Sequence, residues 1–426
     1  MLREVFCYGG KVMKNDLSLV YEAQQLLEGV ASRTPLDYLE NFSRTLDGHL
    51  FAKREDLQAV RSYKLRGAYV KIAGLPAETR SRGVICASAG NHAQGVAYAC
   101  NKLDIACRIY MPVTTPSQKL KQVRFYGNSQ AEIILIGDTF DEAYRAALEN
   151  SQKTGQAFIH PFDDQSVING QATVAMEILE QASIPIDYLF LPIGGGGLAA
   201  GTAQVFKTLS PNTRLIGVEP EGAPSMKMAF AAGFPVLLES IDTFTDGAAV
   251  KQVGDLTYSI CKDLLDDIIL VPEGLICEII LRLYNENAIV AEPAGALALA
   301  GAVLMKSKLW GMTSAIVISG GNNDITRFPE IKERALLYAN LKHYFIVRFP
   351  QRPGALKQFV QDVLGPDDDI VHFEYSKKTS RENGPALIGI ELKRSSDFEP
   401  LVIRMKEKNF PAEYVNDRLE LMQFLI

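Results

Sequence analysis

The chain has 426 residues, which at roughly 150 residues per domain leaves room for about three domain-sized units. Its 47% hydrophobic and 22% charged residues argue against a disordered or collagen-like chain, and a net charge of -6 without a dense lysine and arginine cluster argues against a nucleic-acid footprint. Six scattered cysteines, Cys7, Cys86, Cys100, Cys107, Cys261 and Cys277, form no C-x-x-C pair, so neither a disulfide framework nor a zinc ribbon is expected and a reducing compartment fits.

In chain order, "MLREVFCYGGKVMKNDLSLV" holds no apolar run of signal-peptide length, and the greasiest segment, "PAGALALAGAVLM", is too short to span a bilayer. A cytoplasmic location with no membrane contact is expected. Asp16 ahead of "LSLVYEAQQLLEGV" predicts a capped opening helix. Short apolar runs then follow: "GVICAS", "ACRIYMP", "AEIILIG", "DYLFLPI", "RLIGVEP" and "SAIVISG". They alternate with helical segments such as "NHAQGVAYACNKL", "FDEAYRAALENSQKT" and "LAAGTAQVFKTL". That alternation predicts a parallel α/β sheet covered on both faces. Around residue 335 the texture changes to strand, helix, strand, strand, helix, strand, the order of a small ferredoxin-like unit. Its polar hairpin tip is "SKKTSRENGP", its last strand falls near "LELMQFLI", and the join lies at "EIKERALLYANLK".

Four stretches carry candidate chemistry. In "RSYKLRGAY", Lys64 sits between an aromatic residue and a leucine; taken alone it reads as a solvated or snorkelling cation. In "CASAGNHAQGVAYA", a strand ends in Ser88, Ala89, Gly90, Asn91 and His92, a small polar loop where open α/β sheets bind ligands and whose amides suit a carboxylate. Asn91 has capping the next helix as its alternative role, and His92 reads as structural. In "DYLFLPIGGGGLAAGTAQ", Gly194, Gly195, Gly196, Gly197 and Leu198 carry an apolar strand into a helix, an arrangement suited to an anion such as phosphate, with a flexible turn as the plain alternative. Gly194, Gly196 and Ala199 also fit the dinucleotide pattern G-x-G-x-x-A with Glu219 as a ribose-binding acid, although that pattern normally opens its βαβ unit and here lies deep in the chain. In "SAIVISGGNND", Ser319 either starts a turn or reaches a ring nitrogen or substrate from a strand end.

Taken together, "KREDLQAVRSYKLRGAY", "SAGNHAQGVA", "IGGGGLAAG", "DGAAVKQVGD", "AEPAGALALAG" and "SGGNND" resemble the tryptophan-synthase-like (fold type II) family of pyridoxal-phosphate enzymes, most closely its threonine dehydratases. They occur in the expected order over residues 30 to 330. The segment "FIVRFPQRPGALKQF" looks like the regulatory domain of the biosynthetic type, which serine racemases and catabolic dehydratases usually lack. The resemblance implies an α/β catalytic body over residues 1–335, with a small subdomain over roughly 56–155 inserted in the large one, and an ACT-like α+β domain over 341–426. It implies pyridoxal 5'-phosphate as cofactor, with Lys64 as covalent anchor, Gly194 to Gly197 and Leu198 around the phosphate, Asn91 facing the 3-oxygen and Ser319 the pyridine nitrogen. Ser88, Ala89, Gly90, Asn91 and His92 take the substrate carboxylate, and Glu292 lies near the ring or caps a helix. The departures are Tyr63 where phenylalanine is usual and Arg61 where a smaller residue is common; neither is expected to touch Lys64, and Arg61 and Arg66 are expected bystanders. Ser225 stands where a relative has a second acidic ligand beside the counterpart of Glu219, so no divalent metal is expected, with a monovalent cation at backbone carbonyls as the open alternative.

The chemistry implied is β-elimination from L-threonine, and more weakly L-serine, to an enamine that hydrolyses to 2-oxobutanoate and ammonia. Lysine attacks an aldehyde only as the neutral amine, so burial that lowers its pKa favours the anchoring bond. A serine hydroxyl at the ring nitrogen, unlike a carboxylate, does not keep that nitrogen protonated and so favours prompt loss of a β-substituent. The tail implies isoleucine as effector, or a passive oligomerisation role, and family members are commonly homo-oligomers, dimers or tetramers. The competing readings are a serine/threonine dehydratase or racemase of the same family, a nicotinamide-dependent dehydrogenase built on the Gly194 loop, and a non-catalytic amino-acid sensor.

Overall fold

The computed structural model describes residues 16–375, 383–418 and 421. The described chain divides into two compact units, one of residues up to 272 with 282–324 and the other of residues 273–281 and 325–426. Strands of the first unit, in chain order, are β1 (Leu36–Tyr38), β2 (His49–Arg54), β3 (Val84–Ala87), β4 (Cys107–Met111), β5 (Ala131–Leu135), β6 (Ala157–Phe158), β7 (Tyr188–Pro192), β8 (Arg214–Pro220), β9 (Asp267–Val271) and β10 (Thr313–Ile318). They form two sheets. Six strands run in the order β1-β2-β10-β7-β8-β9, parallel except for the edge strand β1, and four run in the order β5-β4-β3-β6, all parallel.

All six apolar runs read from the sequence are strands; most are buried on both faces, which leaves an unbroken apolar run as the signature of a parallel strand, while β5, at a sheet edge, is only partly buried. Of the unread strands, β9 does carry an apolar run, Ile268 to Val271, while the others lack that signature. β2 carries Lys53 and Arg54, and β6 is two residues long. The segment "PAGALALAGAVLM" forms the helix Pro293–Leu304, apolar all round because it is buried from Pro293 to Ala302. Among the described residues no helix is long and apolar enough to cross a membrane. The opening helix, Ser18–Leu26, has its first amide, that of Ser18, donating to Asp16 Oδ1 at 3.0 Å.

What positions the site is the helix Lys64–Ala73. It runs between the helices Asn91–Leu103 and Gln165–Gln181 at distances only glycine permits. A Cβ on Gly95 would meet the Lys64 and Leu65 backbone at 3.0 Å, and one on Gly170 would lie 2.6 Å from Gly67 Cα and 2.8 Å from Arg66 O. With no side chain on either side, backbone packs against backbone.

The second unit has the predicted ferredoxin-like order. Strands β11 (Lys342–Pro350), β12 (Asp369–Tyr375), β13 (Asn383–Glu391) and β14 (Ala412–Tyr414) pair antiparallel in the order β12-β13-β11-β14. Phe359 and Leu401, from the helices Ala355–Asp362 and Phe398–Glu407, join Val347, Ile388 and Phe410 in one buried cluster. Most of the expected tip "SKKTSRENGP" and of "LELMQFLI" lies outside the described residues; the strand that closes this edge of the sheet is the earlier segment Ala412–Tyr414.

Replacing Gly170 by alanine inserts a methyl group where no neighbour can retreat. It is expected to destabilise the chain by about 1–3 kcal/mol despite alanine's better helix propensity, measured as a lower urea midpoint with an unchanged slope.

Candidate active site

Lys64 is the first residue of its helix, and its Nζ donates to the Pro161 carbonyl at 3.0 Å. The segment before it is stitched to the carboxyl end of β10. Ser62 bridges Gly320, the Tyr63 amide donates to Ser319 O at 3.3 Å, and the Gly321 amide donates to Arg61 O at 2.9 Å. The residue keeps some solvent exposure, yet protein is dense around the amine, and burial pushes its pKa down to about 8 against an opposing pull from Glu292. Tyr63 corrects one expectation: its ring centroid lies 5.3 Å from Lys64 Nζ, within cation–π range, so it does touch the lysine.

Facing the lysine is a hydrogen-bonded chain of polar groups. Asn91 Nδ2 donates to Glu292 Oε1 at 2.5 Å, and Asn91 Oδ1 accepts from Asn322 Nδ2 at 2.7 Å. The capping alternatives therefore fall away. Asn91 is the first helical residue with Gly90 as the cap, and Glu292, although at the cap position of Pro293–Leu304, makes no side-chain cap bond. Burial, reinforced by Asp246, pushes the Glu292 carboxyl up to about 7 against the Asn91 hydrogen bond. Gly320 is required here, since a Cβ would fall 2.3 Å from Glu292 Oε1 and 3.2 Å from Asn91 Nδ2. Ser319 Oγ, buried at the end of β10, donates to Ala294 O at 3.1 Å. In the loop after β3, Ser88 Oγ accepts from the Gly90 amide at 3.2 Å. His92 is turned away: its Nε2 meets Ile159 O at 2.9 Å, and burial, with Lys64 adding, lowers its pKa to about 3.

The glycine loop follows β7. Gly196 has φ +94°, in the left-handed region, and a Cβ on Gly195 would lie 2.1 Å from the Phe162 ring while one on Gly194 would lie 3.0 Å from Ala248 Cα. Thr257 Oγ1 donates to Gly195 O at 2.7 Å, and the N–H groups of Gly194 to Leu198 have no acceptor among the described residues. The segment from His160 to Asp163 escapes notice in the sequence because it carries no glycine-rich or strand-like signal. Pro161 receives Lys64, Phe162 packs on the glycine loop, and Asp163 Oδ1 accepts from the Leu256 and Thr257 amides at 3.0 and 3.1 Å. His160 Nδ1 holds this turn by accepting from the Phe162 and Asp163 amides at 3.3 and 2.7 Å, and burial keeps the ring neutral with a pKa of about 4.

Glu219, at the end of β8, is wholly buried and accepts from the Met226 and Lys227 amides at 2.7 and 2.8 Å, which start the helix Ser225–Ala232. Burial raises it to about 7. Both oxygens are engaged, so it does not serve a ribose as the dinucleotide alternative requires. Ser225 Oγ donates to Val250 O. Among the described residues no group of three or more histidines, cysteines, aspartates or glutamates suits a metal ion.

Residues 27–320 match the pyridoxal-phosphate dependent enzymes, and residues 333–425 match the C-terminal regulatory domain of threonine dehydratase. The chain is 50% identical over 417 residues to the L-threonine dehydratase biosynthetic IlvA of Halalkalibacterium halodurans, covering 98% of this chain and 100% of that one. It belongs to the biosynthetic threonine dehydratases, a branch of the pyridoxal-phosphate-dependent enzymes. The same-named protein of Bacillus subtilis is 50% identical over 407 residues, 96% of each chain. Among solved structures, processed threonine deaminase isoform 2 from Solanum lycopersicum superposes with a TM-score of 0.72 at 42% identity, over 77% of this chain and 95% of that one. Maize serine racemase does so at 0.70 and 33% identity, over 76% and 98%.

The threonine dehydratase site fits the cofactor of that family. A lysine amine with its pKa lowered to about 8, a glycine loop closed to any larger residue by Phe162 and Ala248, amides suited to an anion and a serine hydroxyl at a neighbouring strand end are groups that would suit its aldehyde, phosphate and ring. In the cofactor-free chain, the part of imine formation with an aldehyde probe that Lys64→Ala abolishes is expected to rise with a midpoint near pH 8 rather than 10.5. Glu292→Gln is expected to move that midpoint lower, because the carboxylate that favours the ammonium form is gone; an unmoved midpoint would show that Glu292 does not act on Lys64.

Proposed function

We propose that the chain is a threonine ammonia-lyase that converts L-threonine to 2-oxobutanoate and ammonia, with L-serine as a poorer substrate. The observation that carries this reading is the Lys64 amine, lowered to about pKa 8 and set beside the Asn91–Glu292 pair, in a chain half identical along nearly its whole length to threonine dehydratases.

Pyridoxal phosphate, when bound, supplies an electron sink for the carbon that loses its proton. Everything else falls to side chains. Lys64 would anchor the cofactor, and Gly194, Gly195, Gly196, Gly197 and Leu198 would hold its phosphate through their amides. Asn91 and Ser319 would orient its ring. The loop from Ser88 to His92 binds the substrate carboxylate, which leaves the amine directed toward Lys64. Once displaced, Lys64 is a free amine in a desolvated setting and takes the proton from Cα. As the Cβ–O bond breaks, the same amine returns that proton to the departing hydroxyl, so water leaves and an enamine remains. Outside the site one water hydrolyses the enamine to the oxo acid and ammonia, which balances the reaction. Glu292 keeps Asn91 in place and, by its charge, tunes the lysine.

The catalytic body spans residues 1–335, with a smaller subdomain over roughly 56–155. Residues 341–426 form an ACT-like regulatory domain that takes isoleucine and passes its binding energy to the active site as a shift between two states. The protein works in the cytoplasm as a homodimer or homotetramer, and the reaction is the committed step toward isoleucine.

Lys64→Ala is expected to lower 2-oxobutanoate release by at least ~10²–10⁴-fold while far-ultraviolet circular dichroism stays unchanged. The wild-type chain is expected to show a visible band that borohydride bleaches, and near-normal turnover in the variant would overturn the assignment. Isoleucine added to the full-length enzyme is expected to depress threonine turnover several-fold, in line with a coupling of about 1–3 kcal/mol. Turnover indifferent to millimolar isoleucine would sink the regulatory part alone.

A further inference from the structure

Arg66, expected to be a bystander, is the largest fully buried side chain of the described residues. Two residues apart on a helix with 3.6 residues per turn, Lys64 and Arg66 leave it on nearly opposite faces. Lys64 points to the site. Arg66 points into a buried cluster of charges that no step of the reaction uses.

Its guanidinium is committed on both edges. Nε and Nη2 donate to the two oxygens of Glu55, each at 2.8 Å, while Nη1 donates to Glu177 Oε1 at 2.7 Å and Thr173 Oγ1 at 3.1 Å. The second oxygen of Glu177 accepts from Lys53 Nζ at 2.5 Å, and that amine also donates to Thr34 O at 2.6 Å and Gln181 Oε1 at 3.0 Å. Thr34 Oγ1 closes the ring on Glu55 at 2.6 Å. Lys53 and Arg66 balance Glu55 and Glu177, so the cluster is neutral, and all four residues are buried. It ties the Lys64 helix to β2, to the turn after it and to the helix Gln165–Gln181.

A buried ion quartet is no more stabilising than apolar packing of the same volume, so stability alone does not account for it. Direction does. The smooth glycine crossings on either side let the Lys64 helix approach its neighbours, but backbone against backbone leaves rotation about the helix axis weakly resisted. A planar fork held by two carboxylates resists it strongly. At a side chain's reach from the axis, each ten degrees of rotation moves an amine by on the order of 1 Å, a displacement that can cost about 10²-fold in rate.

We propose that Arg66, held by Glu55, Glu177 and Lys53, is a positioning residue that sets the rotation of the Lys64 helix and so aims the lysine amine at the substrate's α-proton. The proposal rests on Lys64 being the reacting amine. It is tested on the cofactor-loaded enzyme with Arg66→Lys, which keeps the charge and loses the fork, and with Thr173→Val, which keeps all the ion pairs and loses the hydroxyl that accepts from Arg66 and donates to Gly170 O at 2.7 Å. In each, the borohydride-reducible lysine is counted first, and turnover is expressed per reducible site. Arg66→Lys is expected to lower kcat per site roughly tenfold or more with KM for threonine changed less than about threefold, and to displace the pH midpoint of kcat. Thr173→Val is expected to act in the same direction, about two- to fivefold, and decides the matter if the first variant does not fold. If the variants that fold lose only thermal stability or occupied sites, while kcat per site, KM and pH profile match wild type, the cluster is structural and the proposal is overturned. A wild-type chain with no borohydride-reducible lysine would overturn the assignment of Lys64, and this proposal with it.

Discussion

A lysine attacks an aldehyde, or takes a proton from carbon, only when it carries no charge, and at neutral pH that condition has to be built. Burial brings Lys64 toward it. Withdrawing water from the amine lowers its pKa to about 8, and the nearby Glu292 sets a limit by pulling the other way. Glu292 is itself raised to about 7, chiefly by burial, so both groups titrate close to neutral pH. The surrounding structure makes this arrangement tolerable, giving the amine the Pro161 carbonyl and the carboxyl the Asn91 amide.

Close approach of backbones is the means by which that burial is reached. Gly95 and Gly170 let two helices lie against the lysine's helix, Gly320 leaves room for Glu292, and Gly195 leaves room for Phe162. These glycines work by having no side chain rather than by flexibility. Their cost is that glycine contacts say little about orientation, and polar side chains supply what the contacts omit. Asn322 holds Asn91, Asp163 caps the helix Asp255–Leu264, Glu219 caps the next helix after β8, and Arg66 reaches into its ring of carboxylates.

The parts of the site that lie together in the chain were readable. The glycine loop is a contiguous run between a strand and a helix, the Ser88–His92 loop follows β3 directly, and Ser319 directly follows β10. The order of the second unit was readable as well, except for its short closing strand Ala412–Tyr414, three residues with no period of their own. Less readable were the parts assembled from distant positions. Asn91 and Glu292 are 201 residues apart, and the turn from His160 to Asp163 has no composition that marks it. Arg66 was read only as a bystander, and its burial was not legible, because Glu55 and Glu177, which enclose it, lie 11 and 111 residues away.

By itself, then, the sequence determined the strand and helix periods, the glycine positions and the order of motifs, because each depends on neighbours within a turn or two of the chain. Tertiary structure decided which lysine is stripped of water, which asparagine meets a carboxyl rather than a helix end, and which arginine is buried. Those outcomes depend on dielectric surroundings and hydrogen-bond partners that only the folded chain brings together.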